Sequence, residues 1–505
     1  MTRPGEHVDA EFARGRGAAG EPLLDLDEIQ GNILVPFGGP VQHHLYLRWT
    51  SDPRPWVGRA AAAVTSTRAL LADRARGGGG TVVGLSFSAR GLRALGRRPD
   101  TLLDVPFQDG LAARSPLLGD PADPADRGHP DNWPVGGRGT TADALLVVRA
   151  ADHAAARAAA DRLAGGRGGP EVLHRDRCAS LDDSGYEREH FGYRDPVSQP
   201  AVRGAARGTG APLCPPAAPD RPHEAAPGQR RLWPGEFVFG HPGQDPVAAD
   251  PPGAVASGGP DWTVNGSLLA VRRYRQEVGA FQAFTEHACE ELARRGFTGW
   301  TPDALSARLF GRWRDGTPVS LRPDAPDPAL SSCPLSRNAF GFTADLGPVD
   351  DTRGWRVPVG AHIRKAYPRD HETDLETRAA IETHRLLRRG MPYEDHGERG
   401  MVFACYQTSL ERQFEFVVRS WLNNPYQQHE GDNHDPIVGR PHRALGDLVP
   451  REFALRLPSG EPGGTLVRLP MPAPFTVPRG GGYFFTPALS ALRTLARPSV
   501  PGRTR

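Results

Sequence analysis

Cysteine is scarce in this chain of 505 residues, and its few cysteines are not arranged in a known structural pattern. The five are odd in number and widely spaced, and none occurs as C-x-x-C. This spacing argues against a disulfide framework, a zinc finger and a cofactor attached through cysteine.

Long apolar runs are also absent from the sequence. No stretch approaches the length of a membrane span, and the N-terminal MTRPGEHVDAEFARGRG has neither an apolar run nor a twin arginine. We therefore expect no membrane partner, no signal peptide and a soluble, cytoplasmic protein. Residues 1–22 are charged and rich in glycine, which predicts a disordered segment.

Neither sign of charge dominates the chain. Lysine and arginine number 61 against 59 acidic residues, and Lys365 is the only lysine. Both signs are mixed along the sequence, with no basic block or arm, which excludes the usual nucleic-acid binder. We attribute the excess of arginine over lysine to a GC-rich genome.

Four segments share one pattern, in which an alternating apolar strand runs into a helical period. They are residues 81–96, 142–164, 265–288 and 399–422. Two precede a stretch rich in proline and glycine at about 200–262, and two follow it. The pattern predicts an α+β fold, with helices on one face of antiparallel sheets, and its repetition favours two duplicated ferredoxin-like domains.

Several familiar catalytic signatures do not apply. GGGG at 77–80 precedes a strand and is not followed by Lys-Ser/Thr, so it is no phosphate loop. The chain has no H-E-x-x-H and no G-x-S-x-G. GDNHD at 431–435 has metal-ligating residue types but matches no calcium-loop pattern, so spacing alone favours a solvated loop.

Three stretches combine polar and aromatic residues in an unusual way: HFGYRDPVSQP (190–200), VPVGAHIRKAYPRD (357–370) and HRLLRRGMPY (384–393). Taken singly, each has an ordinary structural interpretation. Asp195 would be a turn residue, His362 a surface or core histidine, and Arg388 a solvated charge. Their occurrence together points to chemistry.

Together these stretches resemble the dye-decolorising peroxidase family, whose motifs are G-x-x-D-G and GAHIR-x-x-x-PRD. The resemblance extends in order to DLDEIQGNIL, LWPGEFVFGHP, NGSLLAVRRYRQEVGAF and ERGMVFACYQTSLERQFEFVVRSWLNN, covering residues 23 to 490. It implies an N-terminal ferredoxin-like domain at 23–230 that carries the distal aspartate. It also implies a C-terminal one at 231–500 that holds most of a haem b cofactor.

By this resemblance, His362 is the proximal iron ligand, and Asp435 accepts the hydrogen bond from its other ring nitrogen. Such a bond orients the ring and makes it a stronger donor to the metal. Asp195 matches the distal base that moves a proton between the peroxide oxygens. Arg388 matches the distal arginine that stabilises negative charge. Arg389 should face the opposite side of the strand.

Further contacts to haem are implied for four residues. Met401 and Phe403 match apolar residues over the distal haem face, and their two-residue spacing puts both on one side of a strand. For these, ordinary core packing is a compatible alternative. Arg364 and Arg369 are candidates to pair with the haem propionates, and surface ion pairs are an equal alternative for them.

One departure concerns the distal motif, where Pro196 replaces the family's glycine after the aspartate. Proline fixes φ and removes an N–H, and it also restricts Asp195. If the turn needs a glycine-only conformation, Asp195 should be displaced and the activity weakened. A milder departure is VPVG, where related sequences often carry cysteine before the proline.

The resemblance implies a peroxidase that reduces hydrogen peroxide and oxidises phenolic or dye-like aromatic donors. Trp313, Trp421 and Tyr393 are conceivable relays for bulky donors. One alternative is a haem-dependent tailoring enzyme for a dedicated metabolite, and another is a non-catalytic haem carrier or sensor. The sequence leaves the physiological donor and the oligomeric state open, a homo-oligomer included.

Overall fold

The computed structural model describes residues 20–166, 168–181, 188–248, 250–374, 376–427, 434–441, 450–459 and 463–497. The predicted disordered segment 1–22 therefore lies almost wholly outside the described residues.

The described helices are mostly short, and we number the α-helices in chain order. They are α1 (Gly31–Leu34), α2 (Arg54–Ala61), α3 (Thr67–Ala75), α4 (Ala89–Ala94), α5 (Val105–Asp109), α6 (Leu111–Arg114), α7 (His153–Ala164), α8 (Val278–Arg294), α9 (Pro302–Phe310), α10 (Pro328–Ser332), α11 (His362–Ala366), α12 (Arg378–Ile381) and α13 (Leu489–Leu495). Two π-helical stretches follow each other at Leu410–Glu415 and Val417–Leu422, and single 3₁₀ turns occupy Pro99–Thr101, Pro130–Asn132, Pro234–Glu236, Asp261–Thr263 and Glu382–His384. None of these helices is long and apolar enough to cross a membrane.

The described strands vary from two to eleven residues in length. They are β1 (Leu23–Leu24), β2 (Val41–Arg48), β3 (Val82–Phe87), β4 (Ala144–Ala150), β5 (Glu171–Ala179), β6 (Ala201–Val202), β7 (Ala205–Ala206), β8 (Glu224–Ala226), β9 (Gln229–Leu232), β10 (Pro242–Gln244), β11 (Pro252–Val255), β12 (Ser267–Gln276), β13 (Leu387–Arg388), β14 (Met391–Asp395), β15 (Glu398–Gln407), β16 (Glu452–Leu457), β17 (Thr465–Pro470) and β18 (Thr476–Thr486).

All four predicted strand–helix units are present, as β3–α4, β4–α7, β12–α8 and β15 with the π-helical stretches. Three of these helices begin with an N-cap residue, whose side chain accepts a hydrogen bond from a backbone N–H of the first turn. Ser88 accepts from the N–H of Gly91, Asp152 from Ala155, and Ser409 from Arg412. Each cap lies one or two residues after a strand ends, which explains the abrupt change of period in the sequence.

Nine strands form one sheet in the order β12-β18-β3-β4-β2-β5-β14-β15-β13, and β12 also pairs with β15, which closes the sheet into a ring. The pairings within it are antiparallel. A single residue pair makes each junction between the halves, Phe485 with Phe87 and Tyr393 with Cys178. The ring therefore consists of two four-stranded sheets joined at their edges, with β13 beside β15.

The two sides of the ring pack against different partners. One core joins alternate strand residues to α2, α4 and α7 and to the π-helical stretches. The other packs the opposite strand faces against residues 24–37 and 202–238. Because successive strand residues point to opposite sides, β15 contributes Cys405 to the first core and Ala404 and Tyr406 to the second.

Candidate functional site

His362 and Asp435 form a close pair. His362 is the first residue of α11, and its Nδ1 lies 2.6 Å from Oδ2 of Asp435. The other oxygen of Asp435 accepts the backbone N–H groups of Ile437 and Val438 at 2.9 and 2.7 Å. The carboxylate is therefore held on both sides, and it fixes which ring nitrogen of His362 faces away from it.

Each member of this pair shifts the pKa of the other. Burial alone would lower the pKa of His362, but the adjacent Asp435 outweighs it, so the pKa is raised. Burial alone would raise the pKa of Asp435, but His362 and the backbone donors outweigh it, so the pKa is lowered. The side chain of Asp435 is fully buried, whereas that of His362 is 28% exposed and accessible to a ligand. Among the described residues, none hydrogen-bonds to its Nε2.

Asp195 and Arg388 meet at the end of β13. Nη1 of Arg388 lies 3.4 Å from Oδ1 of Asp195, and its Nη2 donates to the carbonyl of Ser198 at 2.6 Å. Both side chains are about one-third exposed. The peptide bond between Asp195 and Pro196 is cis. With Pro196 in the motif, Asp195 still reaches the arginine.

A buried carboxyl organises the loop that carries Asp195. Glu189 accepts the backbone N–H groups of Phe191 and Tyr193 at 2.9 and 2.8 Å, and it contacts the amide of Gln276. Gly192, at φ +93°, makes the turn between these donors, a conformation that glycine adopts at little cost. Burial raises the pKa of Glu189 to about 7, with a contribution from Asp195.

Aromatic packing connects this loop to α9 and to His362. The ring of Tyr193 stacks on Phe310, the last residue of α9, with centroids 3.7 Å apart. Phe310 in turn lies edge to face with the His362 ring, with centroids 6.1 Å apart. The Asp195 loop and His362 are thus packed around one phenylalanine.

The register of β13 on β15 decides which side chains accompany Arg388. Arg388 pairs with Cys405, so Arg388 shares a sheet face with Cys405, Phe403 and Met401. Phe403 and Met401 are both half-buried. Arg389 points to the other side, where it donates to the carbonyls of Asn32 and Ile33 at 2.7 Å each, as the strand alternation predicts.

The protein itself engages the guanidinium groups of Arg364 and Arg369. Arg364 is buried and donates to the carbonyls of Asp351, Val357 and Thr352. Arg369 donates to the carbonyls of Asn338 and Phe340 and lies 3.8 Å above the Phe340 ring. Pairing of these two arginines with haem propionates stays a prediction, and their observed contacts are structural.

Arg369 also belongs to a group of arginines whose positive charges lie near Arg388. Burial lowers the pKa of Arg312, and the neighbouring charges of Arg369, Arg388, Arg337 and Arg194 lower it further. In the described part of the chain, no carboxylate hydrogen-bonds to Arg312 or Arg337. The Nε of Arg337 is buried without a hydrogen-bond partner. This region would favour a bound anion.

Other predicted features are placed as follows. Trp313, Trp421 and Tyr393 are all buried, at 8%, 2% and 1% exposure, so none offers a surface at which a bulky donor could be oxidised directly. In GDNHD, residues 431–433 lie outside the described residues. Among the residues that are described, no group of three or more histidine, cysteine or acidic side chains is arranged to hold a metal ion.

Sequence reasoning missed Glu189, Gln199, Arg312 and Arg337. Gln199 lies inside the quoted stretch 190–200, and Glu189 immediately precedes it, so their position beside Asp195 was the available signal. Arg312 and Arg337 carried no such signal, because arginine is abundant throughout the chain and only folding gathers these two near Arg388.

Comparison with known proteins identifies relatives over almost the whole chain. Residues 330–434 match the family model described as Dyp-type peroxidase, C-terminal. Peroxidase 2 of Mycetinis scorodonius is 30% identical over 504 residues, covering 94% of this chain and 88% of that protein. A multifunctional dye peroxidase of Amycolatopsis sp. is 27% identical, covering 95% of this chain and 98% of its own.

Solved structures give the same result. An ancestral D-type dye-decolorizing peroxidase is similar with a TM-score of 0.75 and 27% identity, covering 94% of this chain and 100% of that one. A dye-decolorizing peroxidase solved as a complex with 2,6-dimethoxyphenol is similar with a TM-score of 0.72, 27% identity and the same coverages.

Proposed function

Because this chain belongs to the dye-decolorising peroxidase family and is therefore an oxidoreductase that oxidises dyes and phenolics with hydrogen peroxide, we propose that His362 ligates a haem b in it. Peroxidases of this family are haem enzymes. The observation that carries the proposal is the 2.6 Å contact of His362 Nδ1 with Asp435, which leaves Nε2 for iron. The identity of the haem as haem b and all residue roles below are part of the proposal.

The donor set suits such a cofactor. A neutral imidazole nitrogen is a common iron ligand, and a carboxylate behind it is its usual partner. The two propionates of a haem are anions, and the region of Arg312 and Arg337 holds positive charge and the partnerless Nε of Arg337. We therefore add Arg337 to the candidates for propionate contact.

On the proximal side, Asp435 holds the proton of His362 on Nδ1. This tautomer keeps Nε2 unprotonated, and the anionic partner raises the electron density of the ring. The bonds from Ile437 and Val438 keep the carboxylate from rotating away. Asp435 thereby fixes both the orientation and the donor strength of His362.

On the distal side, Asp195 and Arg388 have different roles in the reaction with peroxide. Bound haem would supply the electrons that break the O–O bond. With peroxide bound, an Asp195 carboxylate oxygen would take the proton from one peroxide oxygen and return it to the other, which leaves as water. The Arg388 guanidinium would stabilise the negative charge that develops there. A displacement of Asp195 by Pro196 would favour the carrier alternative, and the 3.4 Å contact of Asp195 with Arg388 counts against such a displacement.

Apolar side chains border this polar pair. Met401 and Phe403 lie on the Arg388 face of β15, and we propose that they shield the peroxide site from bulk water. In a dry site the charges of Asp195 and Arg388 act on peroxide more strongly than in water. Small phenols would donate electrons at an open edge of the haem.

The architecture supports the same proposal. Read in one direction along the ring, the strands of the N-terminal half run β5, β2, β4, β3, and those of the C-terminal half run β18, β12, β15, β14. When the strands are numbered by chain order within each half, both read 4-1-3-2, which is the ferredoxin-like order. We propose two such domains, with haem held mainly by the second. The boundary at 230/231, a cytoplasmic location and a homo-oligomer stay predictions.

The test is haem binding followed by rapid mixing with peroxide. The wild-type chain should show a Soret band that changes on adding hydrogen peroxide, and it should then oxidise 2,6-dimethoxyphenol. His362→Ala should lose the haem, whereas His287→Ala, at an exposed position on α8, should behave as the wild type. A wild-type chain that binds no haem would refute the cofactor. Fast turnover of one dedicated metabolite with poor turnover of dyes would favour the tailoring enzyme.

A further inference from the structure

Gln199 makes two reciprocal hydrogen bonds to the backbone of Arg388. The N–H of Arg388 donates to Oε1 of Gln199 at 3.2 Å, and Nε2 of Gln199 donates to the carbonyl of Arg388 at 3.1 Å. A side-chain amide is the neutral group that offers one donor and one acceptor side by side. Gln199 therefore contacts Arg388 as a neighbouring strand would.

The position of β13 explains why such a contact is needed. This strand has two residues and lies at the edge of the sheet, paired on one side with β15. Backbone groups on the free side of an edge strand lack a ladder partner. The amide of Gln199 satisfies both groups of Arg388 on that side, while Arg389 donates its N–H back to Ala404 of β15 at 2.7 Å.

The same segment also holds the Arg388 side chain. Ser198 accepts from Nη2 through its carbonyl, and Asp195 contacts Nη1. Three residues within a five-residue segment thus contact one arginine, at its backbone and at its guanidinium. Asp195 and Arg388 are 193 positions apart in the sequence, and the contacts of this segment hold their side chains next to each other.

We propose that Gln199 is a positioning residue for the peroxide step, which sets the place of the Arg388 guanidinium relative to Asp195. It acts through Arg388, and the inference rests on the proposed roles of that pair. Reactions between oriented groups are sensitive to displacements of about 1 Å, which can cost about 100-fold in rate. Loss of the amide frees the edge strand and its arginine without touching His362.

The experiment compares the haem-loaded wild type with Gln199→Leu and Gln199→Glu. Two quantities are measured without any electron donor: the second-order rate with hydrogen peroxide by stopped flow, and the fluoride Kd of the ferric protein from its absorbance. Fluoride probes a correctly placed distal cation and needs no turnover. Gln108→Leu is the matched control, because it removes another glutamine–carbonyl bond, to Leu102 in the N-terminal half.

We expect Gln199→Leu to slow the peroxide reaction at least tenfold and to weaken fluoride binding, with haem retention and the KM for 2,6-dimethoxyphenol unchanged. Gln199→Glu keeps the acceptor but loses the donor at neutral pH. It should approach the wild type as pH falls below about 4.3, where a protonated carboxyl can donate to the Arg388 carbonyl. Gln108→Leu should match the wild type throughout.

Two results would overturn the proposal. One is a Gln199→Leu protein whose peroxide rate and fluoride Kd stay within twofold of the wild type. The other is a parallel loss of rate, haem and thermal stability that acid does not restore in Gln199→Glu, which would make the residue purely structural. A wild-type protein that ignores peroxide would instead refute the proposed function, and its fluoride Kd would still report on Gln199.

Discussion

Nδ1 of His362 lies 2.6 Å from Oδ2 of Asp435, across 73 positions of sequence. The carboxylate is fully buried and is fixed by two backbone N–H groups, so its acceptor direction is set before any ligand arrives. The histidine is therefore preorganised in orientation and in tautomer. This geometry makes the pair a sensitive point for substitution.

Asp435→Asn should weaken the electron donation from His362 to iron. An amide cannot supply the negative charge that strengthens the ring, so the reduction potential of the bound haem should rise and the peroxide rate should fall about 10- to 100-fold. Potentiometric titration and stopped-flow absorbance measure the two effects. Asp143→Asn, a buried aspartate of the N-terminal half, is the control. An unchanged potential in Asp435→Asn would contradict the assigned role.

Arg388→Leu should slow the reaction with peroxide by about 100- to 1,000-fold, the usual effect of removing one donor that stabilises developing charge. Arg388→Lys should react at a rate between those of Arg388→Leu and the wild type, because lysine keeps the charge but loses the forked guanidinium that reaches both Asp195 and Ser198. Stopped-flow rates without donor make the comparison. Arg157→Leu, at an exposed position on α7, is the control and should react with peroxide at the wild-type rate. Equal rates in Arg388→Leu and wild type would exclude this arginine from the chemistry.

Arg337→Leu should weaken the binding of haem. If the propionates bind in the positive region around Arg312, removing one guanidinium should speed the transfer of haem to an excess of apomyoglobin. The fraction of the variant that still holds haem should react with peroxide at nearly the wild-type rate. Arg98→Leu, an exposed arginine of the N-terminal half, is the matched control. Identical transfer rates for Arg337→Leu and the wild type would place the propionates elsewhere.

The buried ion pair of Arg272 and Asp120 should matter greatly for stability. Its two atom pairs lie at 3.0 and 2.6 Å, and both side chains are at most 2% exposed. Asp120→Ala leaves an unpaired buried guanidinium, which typically costs about 3–5 kcal/mol of unfolding free energy. Chemical denaturation measures it. Asp100→Ala breaks an exposed pair with Arg98 and should have no measurable effect. Similar midpoints for the two variants would contradict this account.

Glu189 should make the folded chain more stable in mild acid than in mild base. Burial raises the pKa of its carboxyl from an ordinary value near 4.5 to about 7 in the folded state. Between these values the folded state binds a proton that the unfolded state has released, so its contribution to stability falls as pH rises from about 4.5 to about 7. The full change is of the order of 3 kcal/mol.

Glu189→Gln cannot titrate, so it should remove this pH dependence. The difference in unfolding free energy between wild type and variant should shift in favour of the variant as pH rises from 4.5 to 8. Denaturation at four pH values measures the trend. A constant difference across that range would show that Glu189 keeps an ordinary pKa.

Local patterns predicted the elements of this fold well. The alternation of Met401, Phe403 and Cys405 places them on one strand face, and Ser88, Asp152 and Ser409 cap the helices that follow three strands. Such features depend on neighbours within a few residues, so a sequence displays them directly. The closure of eight strands into one ring is different, because two single-pair junctions between distant strands decide it.

The sequence by itself determined the residue types of the site and the order of its motifs, since His362, Asp195 and Arg388 all lie in recognisable local contexts. Tertiary structure decided what those residues contact. Only folding brings Asp435 to His362, sets Gln199 against the free edge of β13, and gathers Arg312 and Arg337 near Arg388 while engaging Arg364 with backbone carbonyls. Hydrogen bonds and charge–charge interactions depend on distance in space, and positions more than seventy residues apart carry no local record of that distance.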